Sequence, residues 1–375
     1  MSKGLRLTHP LCGSNLATLL RLLLTNGPIT PAHLPQVAFA LAVVLLRWPF
    51  STVERMLVEW TRHQRSAMPA PVFIIGYWRS GTTHLHNLLS RSTQFGYIPP
   101  VASGLPWDLL GLVRALRPLL DRALPPDRYV DNVPVHPDSP QEDSIALANM
   151  LPLSYYHGLY FPRRFERHFR RGVFLEDCRP QEIAQWRRRL VHFLEKVSMH
   201  AGGKPLLIKN PVYTGHIRRL RDIWPHAKFI HLYRNPYVVF PSTRHFFTRL
   251  FPELALQDYD GVDVDRLILE SYPRLMHALL TDAADLPQAS FVDVRFEDLE
   301  RDPLAEVERV YRTLDLPTFK LAVPRFEAYL ETLQGYRKNT YAPSPETVRL
   351  VESHWQPYVD RWGYHPPAPA ARRLN

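Results

Sequence analysis

The stretch Val72-Phe73-Ile74-Ile75-Gly76-Tyr77-Trp78-Arg79-Ser80-Gly81-Thr82-Thr83-His84 leaves this chain few local options. A short apolar run reads as a strand, a glycine-bounded loop follows, and the loop opens directly into a helix-like segment over 85–90. The spacing Gly76-x4-Gly81-x-Thr83 is that of a phosphate-cradling loop, G-x-x-x-x-G-K-[ST], with one change. Thr82 stands where that pattern has lysine, and the loop's single cation, Arg79, sits two residues before the second glycine. Such a loop aims backbone N–H groups and a helix N-terminus at an anion. A cation in the middle of the loop points to an anion other than the β- and γ-phosphates of ATP.

Further along, strand-like runs alternate with helical ones. Pro205-Leu206-Leu207-Ile208 ends at Lys209-Asn210-Pro211 and precedes a helical stretch over 215–224. Lys228-Phe229-Ile230-His231-Leu232-Tyr233 ends at Arg234-Asn235-Pro236, and Ser290-Phe291-Val292-Asp293-Val294 leads into Arg295-Phe296-Glu297-Asp298-Leu299. This alternation predicts an α/β chain with a parallel sheet, whose ligands sit beyond the carboxyl ends of the strands. Arg79, Lys209 and Arg234 all fall at such ends, so three cations converge on one sheet edge. Pro236 suits the first position of a helix, which sets Ser242 about two turns in. Arginine grips a phosphate bidentately and a hydroxyl adds a second bond.

The Arg79-Ser80-Gly81-Thr82-Thr83 loop resembles the 5′-phosphosulfate loop of the sulfotransferase superfamily, which uses 3′-phosphoadenosine 5′-phosphosulfate (PAPS). The run Phe229 to Pro236, followed after five residues by Ser242, resembles that family's 3′-phosphate motif, with arginine and serine eight apart. Val294-Arg295-Phe296-Glu297-Asp298-Leu299-x-x-Asp302-Pro303 is similar to its Y-E-D-L-x-x-D-P segment, with Phe296 where a tyrosine often touches adenine. Gly335-Tyr336-Arg337-Lys338 resembles a late basic loop over the 3′-phosphate, without the usual G-x-x-G-x-x-K form. The likeness runs from Val72 to about Tyr364 and is to a bacterial branch, with tyrosylprotein sulfotransferases more distant.

The resemblance implies a P-loop-type three-layer fold, a central parallel sheet flanked by helices, and transfer of a sulfuryl group from PAPS to an acceptor hydroxyl. It implies donor binding by Arg79, Ser80, Gly81, Thr82, Thr83, His84, Arg234, Ser242, Phe296, Arg337 and Lys338. Arg79 and Lys209 then face the charge growing on the bridging oxygen and the 5′-phosphate. No metal is expected: no strand ends in a Walker-B aspartate, and the 17 histidines show no metal-ligand spacing.

The base is less directly marked. Cytosolic relatives carry a histidine two residues after their lysine; here that position is Pro211. Tyrosylprotein relatives carry a glutamate soon after the loop helix, but Phe95-Gly96-Tyr97-Ile98-Pro99-Pro100 has no carboxylate. Glu142 is the first substitute and Asp143 the second, in Pro140-Gln141-Glu142-Asp143 before an apolar, helix-like run over 145–151. Acids are also favoured there simply by the helix dipole. His84 and His86 follow as candidates, although His84 matches a position where relatives stack an aromatic on adenine.

Charge and cysteine content narrow the setting. The net charge of +10 suits anionic ligands or an anionic membrane surface. The cations are scattered, so no nucleic-acid partner is expected. Cys12 and Cys178 alone make no disulfide framework, which fits a reducing, cytoplasmic setting, peripheral at the inner face of the membrane.

Residues 1–68 read as a helical arm, 69–366 as the sulfotransferase domain and 367–375 as a flexible tail. The arm holds apolar runs over 16–24 and 37–46; ten residues fall short of the roughly 20 that cross a bilayer. Ser51-Thr52-Val53-Glu54 is a capping-box pattern that predicts a helix start, with Arg47, Arg55, Arg62 and Arg65 nearby. Two readings stand for the arm: helices packed on the domain, or a surface lying on a membrane.

Ile183, Trp186, Leu190, Phe193, Leu194 and Val197 form an apolar helix stripe, read as core. The aromatic run 155–161 reads as a buried strand or as the lining of an acceptor pocket. For the acceptor, a lipid or other hydrophobic alcohol is preferred, with a glycan or a peptide tyrosine open. A small-molecule kinase shares the loop geometry but lacks the lysine at Thr82, and a non-catalytic nucleotide binder is the third reading.

Overall fold

Four strands form one parallel sheet: β1 (Val72–Ile75), β2 (Leu207–Lys209), β3 (Lys228–Tyr233) and β4 (Phe291–Arg295). Their order is β2-β1-β3-β4. The computed structural model describes residues 8–64, 67–122, 136–334 and 343–366. Val72 pairs with Lys228 and Ile75 with His231, both in parallel register, and Phe229 to Tyr233 pair with Phe291 to Arg295. β1 and β2 are buried along their whole length, as strands covered on both faces must be. β4 alternates instead, with Val292 and Val294 buried and Asp293 exposed.

After β1 the chain moves to β2 on one side, and after β3 it moves to β4 on the other. The crevice between the carboxyl ends of β1 and β3 is therefore the topological switch point, where ligands of such sheets bind. The strands expected from the sequence are all present, as is the α/β architecture.

By internal contacts the residues form two units, one of 1–69, 95–208 and 249–262, the other of 70–94, 209–248 and 263–375. The second unit holds β1, β3 and β4 with helix α3 (Thr82–Leu89). Aromatic packing fixes its sheet: Phe73 stacks on Phe229 at 5.5 Å and meets Tyr213 edge-on at 5.6 Å. Tyr77, just past β1, sits edge-on to Tyr272, which stacks on Trp355 at 4.0 Å, and its hydroxyl hydrogen-bonds Ser271 at 2.8 Å. The loop after β1 thus rests on buried rings, not on solvent.

In the first unit, α1 (Leu16–Thr25) starts where Asn15 caps the N–H of Thr18 at 2.9 Å. α2 (Leu34–Trp60) then runs for 27 residues. The expected helix start at Ser51 is not there: α2 passes through Pro49, and Ser51 lies inside it, donating to the Trp48 carbonyl at 3.1 Å. Arg47, noted in the sequence beside Arg55, Arg62 and Arg65, is buried against Asp108, and Arg65 lies outside the described residues. Tertiary ion pairing overrides the local start signal.

The helix Pro180–His200 buries the predicted stripe, with Ile183 only half-covered and Arg187 and Arg188 exposed. The aromatic run 155–161 is a short helix, Tyr156–Tyr160, and not a strand; Gly158 packs so closely on Phe165 that a Cβ would clash. The stretch 215–224 is a 3₁₀ turn, Pro211–Gly215, followed by one helical turn, Ile217–Arg221.

Candidate active site

The site starts from how β1 ends. A Cβ at Gly76 would run into the Leu232 carbonyl of β3, so only glycine lets the chain leave β1 this close to its neighbour. The Gly76 N–H donates to Thr214 Oγ1 at 2.8 Å. Ser80 then folds the loop on itself, its N–H and Oγ both donating to the Tyr77 carbonyl at 3.2 and 2.6 Å. Arg79 holds a left-handed φ of 66°, uncommon for a side-chain-bearing residue and a mark of a shaped loop. Gly81, at φ 97°, caps α3, and the N-terminus of that helix opens at Thr82 and Thr83. The start of a helix points N–H groups outward along its axis, an arrangement that suits an anion.

Two arginines meet at this loop. Arg79 Nε donates to Ser242 Oγ at 3.1 Å, and Arg234 donates to the Arg79 carbonyl at 3.4 Å. The guanidinium of Arg234 lies 4.3 Å above the ring of Phe296. That ring in turn packs where a Cβ on Gly81 would be, so Phe296 floors the loop while it carries Arg234. Burial lowers the pKa of Arg234, with Glu297 and Glu300 opposing and Arg79 adding to the fall. Two guanidiniums held together, one of them largely out of water, make a place that an anion would stabilise.

The turn after β3 is braced from behind. Glu297 accepts the Asn235 N–H at 3.1 Å and the Tyr364 hydroxyl at 2.6 Å. Burial and that carboxylate push the Tyr364 phenol pKa up, so the hydroxyl stays a donor. Asn235 Oδ1 accepts the Tyr237 N–H at 3.0 Å and starts the helix Pro236–Leu254. Next to the buried Ser242, Thr243 Oγ1 donates to the Trp78 carbonyl at 3.3 Å and pins the loop to that helix.

Lys209 ends β2 and is buried. Its neighbour Asn210 donates to the Ile74 carbonyl at 3.2 Å and accepts the Val212 N–H at 3.0 Å. The ends of β1 and β2 are locked side by side, which sets Lys209 on the same sheet edge as Arg79 and Arg234. His84, in the first turn of α3, has its pKa lowered by burial, opposed by Glu300.

Of the residues expected from the sequence, Arg79, Ser80, Gly81, Thr82, Thr83, His84, Lys209, Arg234, Ser242 and Phe296 all belong to the second unit. Glu142 and Asp143 belong to the first, at the start of the helix Ser144–Met150. Asp143 is buried there, and Glu142 accepts from the Ser144 hydroxyl at 3.5 Å. Arg337 and Lys338 lie outside the described residues. Thr214, Thr243, Glu297 and Tyr364 position the loop and turn without having been singled out. Adjacency to Ser242 was the one signal for Thr243, and Glu297 stood unremarked inside a motif.

A glycine-bounded loop at a switch point, opening a helix and flanked by strand-end cations, is an arrangement suited to a phosphate-bearing ligand. Residues 71–320 match the model of the sulfotransferase family, and the chain belongs to that family. Relatives at 33% identity over 307 residues are the omega-hydroxy-beta-dihydromenaquinone-9 sulfotransferases Stf3 of Mycobacterium bovis and Mycobacterium tuberculosis, covering 81% of this chain and 78% of theirs. The fold is shared with the crystal structure of sulfotransferase STF9 from Mycobacterium avium, at TM-score 0.68 and 18% identity over 93% of this chain and 91% of that one. It is shared also with STF1 from Mycobacterium tuberculosis H37Rv, at TM-score 0.62 and 17% identity over 90% of each chain.

Proposed function

We propose that this sulfotransferase takes its sulfuryl group from PAPS and delivers it to the hydroxyl of a lipid or similar hydrophobic alcohol. The observation that carries the donor assignment is the meeting of Arg79, Ser242 and Arg234 at the N-terminus of α3. Two anion grips in one unit suit a nucleotide with phosphate at both its 3′ and 5′ positions. Arg234 and Ser242 would hold the 3′-phosphate, and the N–H groups of 81–83 the 5′-phosphosulfate.

In the reaction the bond between sulfur and the bridging oxygen breaks as the acceptor oxygen bonds to sulfur from the opposite side. Arg79 and Lys209 neutralise the charge that grows on the leaving oxygen. We propose Glu142 as the base that takes the acceptor proton, with Asp143 beside it as the second candidate. 3′-Phosphoadenosine 5′-phosphate (PAP) leaves. The relatives' named substrate, a lipid with a terminal hydroxyl, and the apolar face of α2 support a lipid acceptor. Cys12 and Cys178, neither in a disulfide, support a cytoplasmic setting.

The test compares thermal unfolding with PAP against ATP and magnesium. PAP at a hundred times its dissociation constant should add about 2.7 kcal/mol. Labelled sulfate should then pass from PAPS into a lipid extract and not into a polar one. Stabilisation by ATP alone would point to a kinase, and PAP binding with no transfer to either extract to a non-catalytic binder.

A further inference from the structure

α2 is built inside out. Between Leu34 and Leu57 every exposed residue on it is apolar, while its buried positions include Arg47, Ser51 and Glu54. Leu46, Trp48, Phe50, Met56, Leu57 and Trp60 are exposed by 52% to 75%. A helix on the surface of a water-soluble domain shows the opposite arrangement. An apolar face of this size marks an interaction site.

By length and composition α2 could cross a bilayer: its best 18-residue window has a mean hydropathy of 1.5. Its inward charges argue otherwise. Glu54 accepts the N–H groups of Leu110 at 3.1 Å and Gly111 at 2.8 Å, and pairs with Lys196 at 2.5 Å. Lys196 also donates to the Pro106 carbonyl at 2.7 Å. Arg47 donates from Nε to Asp108 at 3.0 Å and from another nitrogen to the Cys12 carbonyl. All these partners belong to the first unit, so this middle stretch of α2 is tied to protein on one side. Threading it through hydrocarbon would strip both charges of their partners.

The charges near the C-terminal third select the occupant. Arg189, on the helix Pro180–His200, is electrostatically coupled to Arg55 and Arg188, and Arg62 is exposed in the turn after α2. The acids there are Glu59, 4.0 Å from Arg189, and Glu195, 3.0 Å from Arg62. A basic rim beside an apolar face, with Trp48 and Trp60 exposed on it, fits lipid headgroups of negative charge over an acyl layer.

We propose that α2 lies in the plane of an anionic bilayer, its outer face seated at the headgroup–acyl boundary and its inner charges fixed in the protein. Seating of this kind is independent of the donor assignment and is read without donor or acceptor. The full-length chain is floated with vesicles of phosphatidylcholine alone, or of phosphatidylcholine with phosphatidylglycerol. Partition into the anionic vesicles is expected, weakened by salt. In the variant Leu46→Ser, Met56→Ser, Trp60→Ser partition should fall at least about a hundredfold, with PAP binding and thermal unfolding unchanged. Trp60→Gln alone, in the last turn, gives a smaller loss in the same direction if the triple variant does not fold.

An alkaline carbonate wash should release the wild type from membranes. Retention after the wash would mean a spanning helix and overturns in-plane seating. So would wild-type chain that stays in the aqueous layer, or a triple variant that floats like the wild type. A shift from dimer to monomer in the triple variant, with flotation unaltered, would assign the face to a second copy.

Discussion

α3 and α2 place their polar groups in opposite ways. In α3 they collect at one end: a left-handed Arg79, a capping Gly81 and the opening donors of the helix all lie at its N-terminus. In α2 they collect along one side, inward, and Arg47 and Glu54 are spent on ion pairs while apolar side chains face out. An end is a local object, built by a few consecutive residues, and a motif can spell it. A side is decided by whatever packs against it, so α2 could be read from its own residues only as apolar. The lesson is that a helix terminus is written in sequence and a helix face is assigned by its neighbours.

The sharpest way to break this contrast is through catalysis. Lys209→Ala removes a charge proposed to act only as the bridging oxygen leaves, so kcat should fall about 10²–10³-fold, some 2.7–4 kcal/mol. Its PAP dissociation constant should stay near that of wild type, as read by calorimetry. Glu142→Gln, in the other unit, should cost turnover in the same range without touching PAP binding. Normal turnover in Glu142→Gln with loss in Asp143→Asn would move the base by one residue.

Next in size is the floor of the loop. Gly81→Ala puts a side chain at φ 97° and against the Phe296 ring that carries Arg234. A stability loss of about 1–3 kcal/mol in denaturant is expected, together with weaker PAP binding. Loss of stability with full PAP affinity would show that Arg234 does not depend on Phe296.

With pH, the effect accrues gradually and not through one substitution. His9 and His157, both in the first unit, are pushed down to about 4 by burial. His9 shows why: Nδ1 accepts the Leu11 N–H at 3.1 Å and Nε2 bonds the Leu254 carbonyl at 3.0 Å, leaving no place for a second proton. Between pH 6.5 and about 4 the unfolded chain binds protons that these folded imidazoles refuse. Stability is therefore whole above that window and falls with acid, by about 1.4 kcal/mol per histidine per pH unit. Thermal unfolding followed by circular dichroism at stepped pH reads the slope, and hydrogen exchange should locate the first opening in the first unit. A flat profile would contradict neutral burial.

The match between reading and structure follows the same line. Strands β1 to β4 and the cations at three of their ends were visible because each is a contiguous run ended by a turn. Helix Tyr156–Tyr160 was taken for a strand or a pocket wall, since an aromatic run carries no period of its own. Ser51 looked like a helix start because Ser-Thr-Val-Glu makes a sound cap in isolation, yet ion pairs either side of it at Arg47 and Glu54 carry α2 straight through. Thr214 and Thr243 hold the loop across 138 and 165 residues of chain, a range at which spacing carries no signal.

From its residues alone the chain determined the glycine-bounded loop, the α/β alternation and the cations at the strand ends, because backbone conformation near glycine and proline depends on the residue itself. Only the tertiary structure decided that Arg79 reaches Ser242, that Phe296 supports Arg234 and that α2 turns its charges inward. Those are choices among partners distant in sequence. They are settled by which buried polar groups find one another when water is excluded.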